Sequence, residues 1–459
     1  MGKAPHRMSP PLATLIVLAA GQGTRMNSDL PKVLHPLAGV PLLHHALAAG
    51  RGVEPQQVVV VIGPDAPGVA AAVLAFDDQA QIVVQAERLG TAHAVLQAAP
   101  VLQGHAGAAL VLYGDTPFVR PDTLETMLAA LDAHAVVVLG FEATDPGRYG
   151  RLIADGDALH RIVEAKDATV EERRITLCNS GVVACDGALL TDLCRAVGNA
   201  NRSGEYYLTD IVVLARARGL SAGVVRCAEA ETLGINTRAE LSRAEAAFQA
   251  RARAEAMETG VTLVAPDTVW FALDTVIGRD ATIGPAVIFG PGVTIESGAE
   301  VKGFCHLEGC HISRGASVGP FARLRPGAEL AEDVHVGNFV EIKNAVLDEG
   351  VKVGHLTYLG DAQVGKHTNI GAGTITCNYD GVLKHRTVIG KHAFIGSDTM
   401  LVAPVTIGDG AMTASGSVIT MDVAADALAV ARARQVDKPA FVARFMDRLR
   451  AIKTAKKGQ

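Results

Sequence analysis

The segment "TLIVLAAGQGTRM", residues 14–26, runs from an apolar, β-branched stretch into Gly21 and Gly23, followed by Arg25 and then by Lys32 in "LPKVLH". Glycines at a strand end let backbone N–H groups approach a phosphate chain, and the two cations supply counter-charge. Position 26 is Met where a dinucleotide fingerprint needs its third glycine, and no GK[ST] follows. A nicotinamide, flavin or Walker A loop is therefore not expected. A bare tight turn is equally compatible with the two glycines alone. Further on, Asp115 closes the apolar run "ALVLYGD", Arg325 and Lys343 stand 18 residues apart, and His355 lies in "VGHLTYLGD". Each has a structural alternative: a turn-capping aspartate, a cation pair offset by Glu329 or Glu341, and a histidine that only hydrogen-bonds at a corner.

The elements that must position these groups differ between two parts of the chain. Over residues 1–237, apolar runs such as "VVVVIG" (58–63), "AALVLYGD" (108–115) and "AVVVLG" (135–140) alternate with Ala/Leu-rich amphipathic segments. That pattern predicts an α/β unit with a mostly parallel sheet covered on both faces. Residues 238–259 begin with "RAELSRAEAAFQARARAEAM", which has no Gly or Pro and predicts a connecting helix. Over residues 260–459 a six-residue step appears: Ile277, Ile283, Phe289, Ile295, Val301, Leu307, then, after a slip, Ile312, Val318, Leu324, Leu330, Val336, Ile342. It continues through Leu347, Val353, Leu359, Val364, Ile370 and, beyond an insert, Ile389, Ile395, Leu401, Ile407, Thr413, Ile419. Every anchor but Thr413 is apolar, which is the hexapeptide signature of a parallel β-helix; a sandwich would show period two.

Three hexapeptides make one triangular coil, so residues about 18 apart stack at about 4.8 Å. Arg325 and Lys343 then lie on adjacent coils, an arrangement that is unfavourable unless an anion or nearby carboxylates compensate. The insert "TCNYDGVLKHR" after Ile375 leaves the face on which Tyr358 ends, so Asn378, Tyr379, Tyr358, Lys343 and Arg325 are expected to line one seam. His355 is expected to begin that face, away from the seam.

Composition limits the partners. A net charge of -6 gives no basis for nucleic-acid binding, and the basic stretches "RARAEAM" and "RLRAIKTAKK" read as solvated helix faces. Seven cysteines without a CxxC imply free thiols in a reducing compartment. The opening "MGKAPHRMSPP" has no long apolar segment, so no membrane span and a cytoplasmic location are expected.

"LAAGQGTRM" with "PKVL" resembles the sugar-nucleotidyltransferase signature, and "QAERLGTAHA", "YGDTP", "YGR", "IVEAKDA", "CNSG" and "GINTR" follow in matching order. Joined to a hexapeptide helix, the chain is similar to the family of bifunctional N-acetylglucosamine-1-phosphate uridylyltransferases and glucosamine-1-phosphate N-acetyltransferases. The likeness runs over residues 12–435 and implies a Rossmann-like nucleotidyltransferase domain followed by a left-handed parallel β-helix. It implies transfer of UMP from UTP to N-acetylglucosamine-1-phosphate, after acetylation of glucosamine-1-phosphate by acetyl-CoA, in supply of a cell-wall and envelope sugar precursor.

By the same resemblance, Leu18, Ala19, Ala20, Gly21, Lys32, Gln85, Gly90, Thr91, Tyr113, Gly114 and Asp115 meet the nucleotide. Of these, Lys32 contacts phosphate and Gln85, Gly90 and Thr91 read the uracil. Gly150, Glu164 and Asn179 hold the amino sugar, and Asp115 with Asn236 holds Mg²⁺. Neutral amides and hydroxyls suit an uncharged base and sugar. Gln22 stands where some members carry lysine, so no phosphate role is assigned to it. In the β-helix, Arg325, Lys343, Tyr358, Asn369 and Asn378 are implied to hold the sugar phosphate. Ala372, Asn378, Tyr379, Ser397, Ser415 and Arg432 are implied to meet acetyl-CoA, with serine at 415 where other members can have alanine. His355 is the implied general base. Its displacement from the seam suggests a pocket shared between protomers, and members of the family are homotrimers.

Three other readings remain in view. A nucleotidyltransferase with a purely structural β-helix has no use for His355 or the Arg325/Lys343 pair. A non-catalytic sugar-nucleotide sensor has no use for Asp115 and Asn236 beside Lys32. A β-helical metalloenzyme needs three stacked histidines, and His306, His311, His335, His355 and His367 do not form such a set in this register.

Overall fold

The nucleotide-loop strand is the third of nine in a sheet whose order is Gln81–Val84, Gln57–Ile62, Ala13–Ala19, Ala108–Tyr113, Leu177–Asp186, Val136–Glu142, Ala222–Cys227, Ala158–Val163, Arg151–Asp155. The computed structural model describes residues 13–103 and 107–457, so most of the N-terminal "MGKAPHRMSPP" reading lies outside the described residues. The first four strands are parallel, as their continuous apolar runs predict. The remainder is not: Leu177–Asp186 runs antiparallel to both of its neighbours, and Arg151–Asp155 with Ala158–Val163 forms a hairpin. The hairpin turn is "DGD", with Gly156 in the left-handed region that a tight reversal requires. The sheet is therefore mixed rather than mostly parallel.

Alternate residues of one strand enter opposite cores. Leu15, Val17 and Ala19 pack into one cluster and Ile16 and Leu18 into the other, and Val58, Val60 and Ile62 split from Val59 and Val61 in the same way. Both faces are buried, which is why these strands read as unbroken hydrophobic runs.

Arg238–Glu258 is one helix, opened by a capping box. Glu240 accepts the backbone N–H groups of Asn236 (2.7 Å) and Thr237 (3.1 Å), and the Thr237 hydroxyl accepts that of Glu240 (3.2 Å). The chain divides into two compact units, 1–252 and 253–459, with the boundary inside this helix.

The second unit is a stack of very short parallel strands on three faces. One face runs from Thr262–Leu263 through His335–Asn338, Lys352–His355 and Asn369–Ile370 to Leu428–Ala429. The second carries Arg323–Leu324, the start of Glu341–Leu347, the start of Tyr358–Val364, and Ile375–Cys377. The third carries Ala328–Leu330, the ends of those two longer strands, and Thr387–Ile389. Register partners such as Thr282↔Glu300 and Glu341↔Tyr358 lie one coil apart, as the hexapeptide step predicts. The apolar anchors fill the interior, and Thr413, the polar exception, is buried with its hydroxyl bonded to the Gly396 N–H (2.9 Å) and the Thr399 hydroxyl (3.1 Å). The register corrects one expectation. His355 ends a strand on the first face, Leu356 turns the corner at φ 50°, and Tyr358 opens the second face, so His355 and Tyr358 do not share one.

Candidate functional site

The strand end at Ala19 and the loop after it form one wall of a cavity of about 320 Å³. Leu18, Ala19, Ala20, Gly21, Lys32, Gln85, Gly90, Thr91, Tyr113 and Asp115 all line it. Gly114 packs beneath, its N–H donating to the Leu18 carbonyl (3.0 Å). The loop owes its position to Arg88, whose Nε donates to the Ala20 carbonyl (2.8 Å). Arg88 and Glu205 also line the cavity, and neither was singled out by sequence reasoning. Arg88 lies inside the quoted "QAERLGTAHA", so its signal was the motif itself.

Gly90 sits at φ 120°, and a Cβ there would stand 2.5 Å from the Tyr206 carbonyl oxygen. Glycine is needed both for the backbone angle and for that close approach. Gln85 is buried beside it and donates to the Gly90 carbonyl (3.0 Å). Burial pushes the Tyr113 hydroxyl above the ordinary tyrosine value, with Asp115 and Glu164 adding to the rise and a hydrogen bond with Thr91 opposing it.

Asp115 does not cap its turn with its side chain. Its carboxylate meets the Lys32 ammonium, which also donates to Asn236 Oδ1 (3.2 Å), and Arg25 donates to that same oxygen (3.0 Å). Residues 83 and 204 positions from Lys32 thus bring two hard oxygen donors onto one positive charge. That donor set fits Mg²⁺, which is held by one or two protein oxygens together with substrate phosphates. Among the described residues no cluster of three His, Cys, Asp or Glu could hold a metal without such help.

Gly150, Glu164 and Asn179 converge: the Asn179 N–H donates to the Gly150 carbonyl (2.8 Å), and a Cβ on Gly150 would lie 3.6 Å from Glu164 Oε1. They stand outside the lining of the 320 Å³ cavity, and Glu164 borders a second hollow of about 520 Å³. Burial raises the Glu164 carboxyl above its ordinary value.

In the β-helix the structure separates two groups of the expected residues. Arg325 and Lys343 follow register-paired Leu324 and Ile342, as the 18-residue spacing requires. Arg325 is offset by Glu341, to which it donates (2.9 Å). Lys343 is held below the ordinary lysine value, first by the Lys384 amine within hydrogen-bond reach and then by Arg325. Lys384 is a third cation that the sequence reading passed over, although it lies in the quoted insert. Burial pushes Asp361 up, but the Asn344 amide (2.6 Å), the Asn378 amide and the two lysines outweigh it and hold this carboxylate below its usual range.

The insert braces itself. Asp380 accepts from His385 (2.7 Å) and from the Val382 and Leu383 N–H groups, bonds that bring it down to about 2. Asn378 and Tyr358 join the seam, since the Tyr358 hydroxyl lies against Gly360, where the Asn378 amide also approaches. Tyr379 instead turns into its own loop, donating to the Gly381 carbonyl (2.5 Å).

The other group forms a column at the end of the first face. Asn338 pairs with His355, and the register continues to Ala372, Ser397 and Ser415 on successive coils, with Asn369 on the same face. The Asp398 N–H donates to the Ala372 carbonyl (2.7 Å) and the Gly416 N–H to the Ser397 carbonyl (2.8 Å). Arg432 lies at the foot of the column, its Cδ 3.8 Å from where a Gly416 Cβ would be. The seven cysteines are free thiols.

A cavity of about 320 Å³ at a strand end and a hexapeptide stack fit a nucleotidyltransferase joined to a hexapeptide-type transferase. Residues 15–177 match the MobA-like NTP transferase domain, and residues 386–420 match the bacterial transferase hexapeptide repeats. Over 444 residues, 97% of this chain and 98% of the relative, the chain is 73% identical to the bifunctional protein GlmU of one strain of Cereibacter sphaeroides. It is 72% identical over 450 residues (98% and 99%) to that of a second strain, and 66% over 441 residues (96% and 98%) to that of Paracoccus denitrificans. The chain belongs to the GlmU family of bifunctional proteins. It is a bifunctional transferase of UDP-N-acetylglucosamine synthesis, with uridylyltransferase activity in the α/β half and acetyltransferase activity in the hexapeptide half.

Proposed function

We propose that the 320 Å³ cavity binds UTP, with Asp115 and Asn236 as the residues that would hold Mg²⁺, and that the β-helix takes glucosamine-1-phosphate at its seam and acetyl-CoA along its column. The observation that carries the first half is the convergence of Asp115 and Asn236 on one ammonium, that of Lys32. Asp115 and Asn236 would hold Mg²⁺, which would supply neutralisation of charge on the triphosphate. Lys32 and Arg25 hold phosphate oxygens, Gln85, Gly90 and Thr91 hold the uracil edge, and Gly150, Glu164 and Asn179 hold the amino sugar. A sugar-phosphate oxygen attacks the α-phosphorus in line, and the bond to pyrophosphate breaks. No side chain forms a covalent intermediate, so positioning supplies the rate.

In the second half, Arg325, Lys343, Tyr358, Asn369 and Asn378 hold glucosamine-1-phosphate, and Ala372, Asn378, Tyr379, Ser397, Ser415 and Arg432 meet acetyl-CoA. The amine attacks the thioester carbonyl, a C–N bond forms, the C–S bond breaks, and His355 takes the amine proton as the thiolate leaves. The seam and the column lie on different edges of one chain, which supports a site completed by neighbours in a homotrimer. Among the described residues no helix is long and apolar enough to cross a membrane. The reading is tested with purified protein: CoA release from glucosamine-1-phosphate and acetyl-CoA, and pyrophosphate release from UTP and N-acetylglucosamine-1-phosphate with and without Mg²⁺. Absence of CoA release from a protein that still makes UDP-N-acetylglucosamine would leave the β-helix a scaffold.

A further inference from the structure

His355 is not alone at the head of its column. Asn338 occupies the same register position one coil above, and its Oδ1 lies 2.9 Å from His355 Nδ1. The two strands approach closely there: a Cβ on Gly337 would collide with the Gly354 carbonyl, so only glycine at 337 lets Asn338 sit against the histidine. The backbone fixes both partners, because the Leu356 N–H donates to the Asn338 carbonyl (3.1 Å) and the Thr357 hydroxyl to the His355 carbonyl (2.7 Å).

We propose that Asn338 is a positioning residue for acetyl transfer: its amide oxygen accepts the Nδ1–H of His355 and so leaves Nε2 bare, on the far side of the ring, as the nitrogen that takes the amine proton. This rests on the reading of His355 as general base. A neutral imidazole carries one N–H and one lone pair, and an oxygen acceptor beside Nδ1 selects the tautomer whose lone pair is on Nε2. An amide orients the ring without adding charge. A carboxylate at 338 would also hold the imidazolium, binding the proton more firmly after it is taken.

The charged groups acting on the neighbouring His335 are mainly cationic. His335 lies on the Asn338 strand and pairs with Lys352 on the His355 strand, and His335 is held below the ordinary histidine value by burial first, then by Lys302, Lys352 and His355. Glu300 opposes that shift. A carboxylate placed at 338 would put a negative charge within hydrogen-bond reach of the ring.

The test uses full-length protein, with uridylyl transfer as the internal control of folding. His355→Ala is expected to abolish CoA release. Asn338→Ala is expected to lower kcat for acetyl transfer about tenfold while KM for both substrates stays within about twofold. Asn338→Asp should keep most of kcat but move the acidic limb of its pH profile upward, because the carboxylate favours the protonated ring. Ring ¹⁵N shifts of His355 should show Nδ1 protonated in the wild type and a tautomer mixture in Asn338→Ala.

If His355→Ala still releases CoA, the general-base reading fails and the role of Asn338 falls with it. If His355→Ala is inactive but Asn338→Ala keeps the wild-type kcat and tautomer, the positioning role alone is overturned. A loss in Asn338→Ala that raises KM with no change of tautomer also overturns it, as it marks a merely structural residue.

Discussion

The two candidate sites are built in opposite ways. The nucleotide cavity closes around itself: Lys32, Asp115 and Asn236 come from three distant parts of the chain and meet within one compact unit. The β-helix disperses its residues, with the seam at Arg325, Lys343 and Asn378 on one edge and the His355 column on another. A mixed sheet can converge loops at its strand ends, whereas a helix of coils only repeats positions along parallel edges. A complete pocket on the second unit therefore calls for something more than its own edges, which is the basis for proposing a shared, trimeric site.

The largest expected effects separate the two halves. His355→Ala should lower acetyl transfer by about 10²–10⁴-fold with uridylyl transfer unchanged. Asp115→Ala should do the reverse, lowering uridylyl transfer by about 10²–10³-fold and sparing CoA release. Steady-state assays of both reactions on each variant check this. Cross-inhibition would show that the sites are not independent and would break the comparison.

Next come two glycines that do the same work in each unit. Gly90→Ala places a Cβ against Tyr206 at φ 120°, and Gly337→Ala places one against Gly354. Each should cost about 1–3 kcal/mol of stability. Thermal unfolding followed with both assays should show uridylyl transfer failing first in Gly90→Ala and acetyl transfer first in Gly337→Ala. Equal loss of both activities in either variant would mean that the units do not unfold separately.

What could be read from the sequence follows the same division. The β-helix anchors and the stacking of Arg325 over Lys343 are consequences of period, and period is visible in one dimension, whereas the column from His355 to Ser415 crosses the insert and its members were named by resemblance alone. The corner at Leu356 was misplaced because a left-handed residue there ends one face between His355 and Tyr358, and Leu gives no signal for that angle. In the α/β half the loop and Asp115 were legible as motifs. The antiparallel strand Leu177–Asp186, the Arg88 clasp and the convergence with Asn236 were not, since each depends on pairing between distant segments. Lys384 was hidden for a related reason: its insert departs from the repeat, so no register placed it beside Lys343.

Lys384 offers a smaller, pH-dependent test. Lys343 is held below the ordinary lysine value by neighbouring cations, so it loses its charge at a lower pH than a free lysine. Binding of an anionic sugar phosphate at the seam should then weaken on the alkaline side earlier than a free lysine would allow. Lys384→Ala removes the main cause. It should raise KM for glucosamine-1-phosphate a few-fold at neutral pH, about the loss of one exposed charge contact, and move the alkaline rise in KM to higher pH. An unchanged alkaline limb would exclude Lys343 as the group that titrates there.

The smallest expected effect lies at Glu164. Burial raises its folded carboxyl above the unfolded value, so the protonated form is the one that folding favours. Its contribution is present below the unfolded value and is lost as pH climbs through the raised folded value, so at neutral pH the ionised group opposes folding. Glu164→Gln keeps the shape and removes the charge, and should raise Tm by about 1–2 °C at pH 7, with the gain shrinking toward pH 4. If Glu164 also holds the amino sugar, the same variant should raise KM for N-acetylglucosamine-1-phosphate. A variant that is more stable and binds the sugar less well would place Glu164 as a group kept for function against stability. A variant less stable at pH 7 would mean that the Thr209 hydroxyl, 3.4 Å from the carboxylate, outweighs the burial.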